Sequence, residues 1–274
     1  MKLHRTAWAR FALVPLFFWG TAGAPGISLI GVAAAAESCA QPSDPINTDR
    51  PSTTNSSTVV PLGSLQSENG INLSRSDGTP TFDGTNSRLR FGIAPCLEML
   101  LDIPNYVTAL RSPGNVGFTD AAPALKWQIS PVPGKIDLSM TIGAELPTGA
   151  TRIAGAGVQP YLQFPWSVDL GAGFSIAGME TNLFLPADSA NHYSNQSTFV
   201  IEKTVNERSF LFVEYVGNFP INGGASHLFN SGGGYRITPN QQIDFHIAFG
   251  LNQNAPAYVF GVGYSFRFDS LLRK

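Results

Sequence analysis

The last regular segment of the chain shows a strict alternation of side-chain type. In Tyr258–Phe268 every second residue is aromatic or aliphatic, and those between are mostly glycine, serine or arginine. A β-strand points alternate side chains to opposite faces, so the segment predicts a strand with one apolar and one narrow polar face. In a soluble sandwich a second sheet would cover the apolar face, whereas in an outer-membrane barrel that face would contact lipid.

The same period of two continues through most of the chain from Ser64 onward. It is clear in the segments 89–93, 97–103, 125–129, 136–146, 158–164, 168–176 and 243–251. Together with less regular segments, these predict about twelve strands of roughly ten to thirteen residues, long enough to cross an apolar band of about 25 Å.

The connections between these segments alternate in length. Short ones are predicted at Ala94-Pro95, 131–134, Pro165-Trp166, Val205-Asn206 and 238–240, and longer ones near 77–85, 106–116, 147–156, 183–194, 220–226 and 253–256. Short turns on one rim and long loops on the other are typical of bacterial outer-membrane barrels. We therefore predict an all-β fold: a transmembrane antiparallel up-and-down β-barrel of about twelve strands over residues 63–268.

Composition favours the barrel over the soluble sandwich. Charged residues make up 13% of the chain, against about 25% in ordinary soluble domains. Mean hydropathy is nevertheless close to neutral, at +0.03. Few charges, with no long apolar run after residue 36, are expected when each strand is apolar on one face only.

Residues 1–36 have the features of a cleaved signal peptide. Three basic residues precede an apolar stretch that ends in Ala33–Ala36 with a small-x-small cleavage pattern. A transmembrane anchor is the alternative, but prolines and glycines interrupt the stretch. Removing the three positive charges of this leader changes the formal net charge from −2 to −5, which argues against nucleic acid as a partner. We expect export to the bacterial outer membrane, with its lipids and the barrel-assembly machinery as partners.

The polar segment 37–62 has no useful periodicity. It could fold into the barrel as a plug, with Arg50 meeting a lumen carboxylate, or lie loose at the periplasmic rim. Cys39 and Cys96 are the two cysteines of the chain, and an even count in an exported protein predicts a disulfide between them. The rival interpretation of Cys39 as a lipoprotein cysteine has little support, because Ala36-Glu37-Ser38 does not resemble a lipobox.

Several segments resemble the bacterial outer-membrane family of transporters named for the MetA pathway of phenol degradation. The pieces that carry the resemblance are, in order, TDRPS at 48–52, VPLGSLQSENG at 60–70, LRFGI at 89–93 followed by Leu97-Glu98, LPTG at 146–149, YRITPN at 235–240 followed by Asp244, and GVGYSFRF at 261–268. The resemblance implies an outer-membrane barrel and passage of small molecules, including hydrophobic or aromatic compounds. One departure is the tail 269–274, since barrels of this kind usually end on the final aromatic residue, here Phe268.

Ionisable residues on the predicted lumen face are the candidate functional side chains. They fall on five consecutive predicted strands: Glu68, Arg88, Arg90, Glu98, Asp102, Lys126, Asp137 and Glu145. They could form a charged constriction that selects solutes. Alternatively, they could be a ladder of ion pairs that satisfies charges inside a narrow barrel.

Neither a cofactor nor a metal site nor a catalytic constellation is expected. His192, His227 and His246 lack the spacing of a helical metal motif, and Gly173–Ala177 mimics a nucleophile elbow only in letters, because it is predicted within a strand. The predicted function is a channel or transporter for small molecules. The alternatives are a structural or surface-interaction barrel without an open path and, with less support, an outer-membrane enzyme.

Overall fold

The computed structural model describes residues 39–76, 78–110, 116–129, 136–155, 157–186, 192–269 and 271. The predicted leader and the predicted turn at 131–134 lie outside these ranges. The strands within them are β1 Leu65–Ser76, β2 Thr79–Gly84, β3 Ser87–Ala94, β4 Leu97–Ile103, β5 Tyr106–Ala109, β6 Val116–Phe118, β7 Ala122–Gln128, β8 Ile136–Glu145, β9 Gln159–Gly171, β10 Phe174–Phe184, β11 Tyr193–Asn206, β12 Ser209–Pro220, β13 Ser226–Thr238, β14 Gln241–Gly250 and β15 Tyr258–Phe268.

These strands form one antiparallel sheet that closes on itself. β1 pairs with β15 from Leu65–Phe268 to Arg75–Tyr258, which joins the first strand to the last. Three of the barrel's strands are each interrupted once, so that each is divided into two segments: β2 with β3, β4 with β5, and β6 with β7. For example, β2 and β3 both pair with β1. The result is a closed twelve-stranded barrel, which confirms the predicted fold class.

Exposure along the strands is inverted relative to a soluble protein. On β7, Lys126 is 1% exposed, whereas its neighbours Leu125 and Trp127 are 45% and 50% exposed. Large apolar side chains cover the outer surface of the other strands in the same way. An apolar exterior around a polar interior is what a lipid-embedded barrel requires. Among the described residues, no helix is long and apolar enough to cross a membrane.

The predicted turn at Pro165-Trp166 is wrong. β9 continues through both residues, and the chain turns at Gly171-Ala172-Gly173, where all three φ angles are positive, at 80°, 51° and 74°. Proline lacks a backbone donor, and the β8–β9 pairing is interrupted here, between Leu138–Trp166 and Thr141–Gln163. The elbow-like Gly173–Ala177 therefore begins in a turn and continues into β10, rather than lying within one strand.

Two of the predicted long loops are largely strand. Residues 79–84 form β2, with the hairpin closed at Ser76–Thr79, and residues 106–109 form β5. The short breaks after Gly84 and Ile103 interrupt the alternation, so the sequence pattern resembles a loop there. Four other long loops lie near their predicted positions in the sequence: β8–β9, β10–β11, β12–β13 and β14–β15. They define the long-loop rim, and the opposite end is the short-turn rim.

Residues 39–62, the N-terminal segment, enter the barrel from the short-turn rim. Cys39 is joined by a disulfide to Cys96 in the β3–β4 turn, with the Cα atoms 5.5 Å apart. Ile46 N donates to Pro239 O in the β13–β14 turn at 2.7 Å. The segment returns to the wall at Leu62, which forms a bridge with Gly92. Between these points it contacts lumen-facing side chains of many strands.

Candidate lumen site

A network of ion pairs fills the lumen beside β1, β3, β4 and β7. Arg90 lies at its centre and is 1% exposed. Its Nη2 lies 2.9 Å from Glu98 Oε1, and its Nη1 lies 3.1 Å from Glu68 Oε1. Lys126 Nζ lies 3.5 Å from Glu98 Oε1. Buried charges are costly unless they are paired, so each of these side chains depends on the others.

Asp49 of the N-terminal segment joins this network from the inside of the barrel. Its carboxylate lies 2.9 Å from Arg88 Nη1, 3.3 Å from Arg90 Nη1 and 3.7 Å from Lys126 Nζ. Burial alone would raise the pKa of Asp49, but the nearby charges of Arg90, Lys126 and Arg88 lower it below its ordinary value. The segment is therefore held to the wall by a carboxylate that stays ionised.

Arg88 extends the network toward the long-loop rim. Its Nε and Nη2 donate to the two oxygens of Asp102 at 2.6 and 2.8 Å, in the bidentate geometry that favours Arg–carboxylate pairs. We call the seven residues of this network the charged cluster: Asp49, Glu68, Arg88, Arg90, Glu98, Asp102 and Lys126. Six of the eight sequence-predicted lumen residues belong to it.

The other two predicted lumen residues, Asp137 and Glu145, lie apart from the cluster. Asp137 lines a cavity of about 390 Å³ at the short-turn rim, together with Glu202 and Arg236. Glu145 lines a cavity of about 440 Å³ on the long-loop side of the N-terminal segment. All eight residues lie on neighbouring strands of the barrel. Asp137 and Glu145 are nevertheless apart from the cluster, because they lie near opposite ends of β8.

A second set of contacts joins the N-terminal segment to the opposite wall, and sequence reasoning missed most of it. Glu214 of β12 accepts hydrogen bonds from Thr53 N at 2.9 Å, from Thr54 N at 2.8 Å and from Thr54 Oγ1 at 2.8 Å. Thr54 Oγ1 also lies 2.6 Å from Thr198 Oγ1 of β11. Leu211, Val213 and Tyr215 alternate on the outer face of β12, so the same pattern places Glu214 on the inner face and could have pointed to it.

Arg50 makes the third attachment of the segment to the wall. Its Nη2 lies 3.2 Å from Asp244 Oδ1 of β14. Gly70 and Gly263 provide the space, because a Cβ at Gly70 would overlap the Arg50 guanidinium and one at Gly263 would lie 2.5 Å from Arg50 Nε. The plug alternative of the sequence analysis expects Arg50 to meet a lumen carboxylate, and Asp244 is that carboxylate.

His246 lies beside this pair on the lumen face of β14. Its two ring nitrogens lie 3.3 Å from Asn230 Oδ1 and from Asn72 Oδ1. Amide partners on both sides suit a histidine that lines the lumen. Within the described ranges, no group of three or more His, Cys, Asp or Glu side chains is arranged to hold a metal ion.

The cavity at Glu145 opens toward a second one of about 280 Å³, since Arg88, Asp102, Ala122 and Glu145 line both. Their other lining residues include Tyr161, Leu183 and Ile153 beside amides and hydroxyls. These two cavities are the long-loop vestibule, whose lining offers both apolar surface and hydrogen-bonding groups.

The loop after β8 covers one side of the long-loop vestibule and is held by Asp120. Its carboxylate accepts backbone hydrogen bonds from Thr148 at 3.0 Å, Gly149 at 2.9 Å and Gly155 at 2.8 Å. A Cβ at Gly149 would lie 2.5 Å from Phe118 O. This close approach accounts for the glycine of the LPTG piece.

Solved structures similar to this chain are outer-membrane channels and porins. An outer-membrane channel of the COG4313 group from Pseudomonas putida F1 aligns with a TM-score of 0.57 and 14% identity, over 77% of this chain and 97% of its own. The KdgM porin in complex with disordered oligogalacturonate aligns with a TM-score of 0.53 and 9% identity, over 75% and 99%. The NanC porin aligns with a TM-score of 0.54 and 9% identity, over 74% and 98%. At these identities the likeness establishes the fold.

No curated protein sequence matches the chain. The family described as "Putative MetA-pathway of phenol degradation" matches residues 48–268, which include the TDRPS piece, the charged cluster and every strand of the barrel. The match spans most of the chain and confirms the resemblance seen in its sequence. The chain therefore belongs to the family described as the MetA pathway of phenol degradation.

Proposed function

We propose that the protein is an outer-membrane channel through which small molecules diffuse without covalent chemistry. The observation that carries the proposal is a closed barrel with an apolar exterior and with lumen cavities on both sides of the N-terminal segment. Membership of the phenol-degradation family and a fold shared with channels and porins support it. The leader is proposed to be cleaved on export, and barrel-assembly machinery to insert the chain.

The proposed solutes are small aromatic compounds that carry one or two polar groups. The long-loop vestibule supports this class, because Tyr161, Leu183 and Ile153 offer apolar surface while Asn86, Asn105 and Gln163 offer hydrogen bonds. A simple phenol has the same combination of an apolar ring and one hydroxyl, and the family description names phenol degradation.

The N-terminal segment is proposed to act as a plug, and the charged cluster to hold it. Arg90, Glu98 and Lys126 are at most 1% exposed, so they have little surface to offer a passing solute. Asp102 and Glu145 line the long-loop vestibule and are better placed to influence which ions enter it. Under this proposal, the eight predicted lumen residues divide into a part that stabilises the structure and a part that is exposed to solutes.

Two assays test the function together. Planar-bilayer recordings of the purified mature protein should show discrete conductance steps, and liposomes containing it should take up small phenols faster than protein-free liposomes. Glu145→Gln should reduce the preference for cations, because it removes a negative charge from the vestibule. If a correctly folded barrel is silent in both assays, the structural barrel without an open path becomes the better description.

A further inference from the structure

The N-terminal segment is tied to the barrel wall at both of its ends, and both ties are at the β3–β4 side. The Cys39–Cys96 disulfide holds one end. At the other end Leu62 bridges Gly92, and Val60 N donates to Glu98 Oε2 at 2.7 Å. The segment therefore closes a ring with the wall and cannot leave the lumen as a free terminus.

Within this ring, residues 50–55 form a smaller loop that we call the arm. The neck of the arm is closed by Ser56 N, which donates to Asp49 Oδ1 at 2.9 Å. Asp49 is in turn held by three cations, Arg88, Arg90 and Lys126. The neck is thus fixed to the charged cluster, while the arm extends from it across the lumen.

The tip of the arm is attached to the opposite wall by different chemistry. Among the described residues, four donors bond to the Glu214 carboxylate: three belong to Thr53 and Thr54, and the fourth is Asn230 Nδ2 at 2.7 Å. All four donors are uncharged. Arg50 adds one ion pair to Asp244 at 3.2 Å. Water can replace uncharged donors to a carboxylate more readily than it can replace the three cations around Asp49.

We propose that the arm is the moving part of the plug and that Glu214 is its latch. Opening breaks the contacts of Thr53 and Thr54 with Glu214 and swings the arm about the Asp49–Ser56 neck. The same movement separates Arg50 from Asp244, Thr54 from Thr198 and Asn55 from Gln163. The disulfide and the charged cluster stay intact. A path then opens along β11 and β12 between the vestibule and the short-turn rim. This regulation rests on the proposed channel function, since a barrel that passes nothing has no use for a gate.

The first test compares Glu214→Gln with a matched control. Glutamine keeps the shape but turns its amide N–H₂ toward the N–H of either Thr53 or Thr54, because the two bond to different oxygens of Glu214. In planar bilayers the variant should raise the fraction of time spent open by about tenfold or more, the effect of losing one hydrogen bond to a charged group. Glu180→Gln, on the outer face of β10, should behave as the wild type. An unchanged open fraction in a folded Glu214→Gln barrel contradicts the proposal.

The second test locks the arm instead of releasing it. Thr54 Oγ1 and Thr198 Oγ1 lie 2.6 Å apart, so Thr54→Cys with Thr198→Cys places two thiols at bonding distance. The pair is introduced into a Cys39→Ser, Cys96→Ser parent so that no other disulfide competes. Oxidation should abolish conductance and phenol uptake, reduction should restore both, and the parent should respond to neither reagent. An oxidised, cross-linked protein that conducts like its parent would rule out the latch.

The same variants separate this inference from the function on which it rests. If the Cys39→Ser, Cys96→Ser parent opens more than Glu214→Gln does, the whole segment withdraws and the arm is not the gate. If the wild type conducts but the cross-link has no effect, the latch is wrong and the channel stands. If the wild type and all variants are folded yet silent in both assays, both proposals are overturned.

Discussion

Ser64 Oγ donates a hydrogen bond of 2.7 Å to Asp269 Oδ1, which joins the residue before the first strand to the residue after the last. Asp269 also accepts hydrogen bonds from Arg267 Nε at 2.8 Å and from Asn240 Nδ2 at 2.8 Å. Leu271 N then donates to Gly63 O at 2.8 Å. The start of the tail beyond Phe268 thus folds over the β1–β15 seam at the short-turn rim, while Phe268 itself stays exposed on the apolar face.

Replacing Asp269 with asparagine should weaken closure of the barrel at neutral pH. Partial burial raises the pKa of Asp269, but hydrogen bonds from Arg267 and Ser64 outweigh it and leave the pKa below its ordinary value of 3.8. Because the folded-state pKa is lowered, the stabilisation by ionised Asp269 is complete above the ordinary pKa of 3.8. It is lost as the pH falls through the folded-state pKa. Urea unfolding at pH 7 and at pH 3 checks this. The difference between wild type and variant should shrink at the lower pH, and an equal difference at both would contradict it.

Replacing Arg90 with methionine should destabilise the barrel by roughly 3–5 kcal/mol, because Asp49, Glu68 and Glu98 would be left buried beside too few cations. Unfolding followed by tryptophan fluorescence in lipid vesicles measures the loss. Arg208→Met in the exposed β11–β12 turn is the control and should change stability by less than about 0.5 kcal/mol. Similar values for the two variants would mean that the charged cluster does not stabilise the fold.

Replacing Ile142 with arginine should impair assembly. Ile142 is 54% exposed on the outer face of β8, and an arginine near the bilayer midplane costs roughly 2–4 kcal/mol. Thr181→Arg is the matched control, because Thr181 lines the long-loop vestibule and its replacement can reach water. Folded yields in lipid, read from the heat-dependent shift in gel mobility, should be clearly lower for Ile142→Arg. Equal yields would contradict the assignment of the two faces.

Replacing Gly70 with alanine should loosen the arm. The new methyl would overlap the Arg50 guanidinium, so Arg50 has to leave Asp244. Under the proposed plug function, planar-bilayer recordings should show more frequent openings than for the wild type. Gly157→Ala is the control, since its Cβ would lie 3.1 Å from Pro186 Cγ, outside the arm. More openings in the control than in Gly70→Ala would argue against Arg50 as a point of attachment.

Errors in the turn predictions show where a sequence pattern stops being informative. The sequence predicts a turn at Pro165, because proline usually interrupts strands, yet β9 passes through it at a gap in the β8 pairing. Similarly, the breaks after Gly84 and Ile103 made β2 and β5 resemble loop. Periodicity within one strand does not reveal which neighbour lacks a hydrogen bond there, because pairing is a property of two strands.

The sequence by itself determined the class of fold, the outward and inward faces of the strands and the family. Each follows from local order: alternation depends on residues two apart, and the family match on short pieces in a fixed sequence. The cysteine pair was also predictable, because the chain has two cysteines.

Only the tertiary structure decided which side chains meet inside the lumen. Asp49 joins the charged cluster and Thr54 reaches Glu214, 160 residues away, but the N-terminal segment has no period from which its path could be derived. Closing the sheet, with the stagger between its strands, sets the height of each lumen residue. It brings six of the predicted residues together and leaves Asp137 and Glu145 near opposite rims. Contacts that depend on barrel closure and on an irregular segment have no local signal in the sequence.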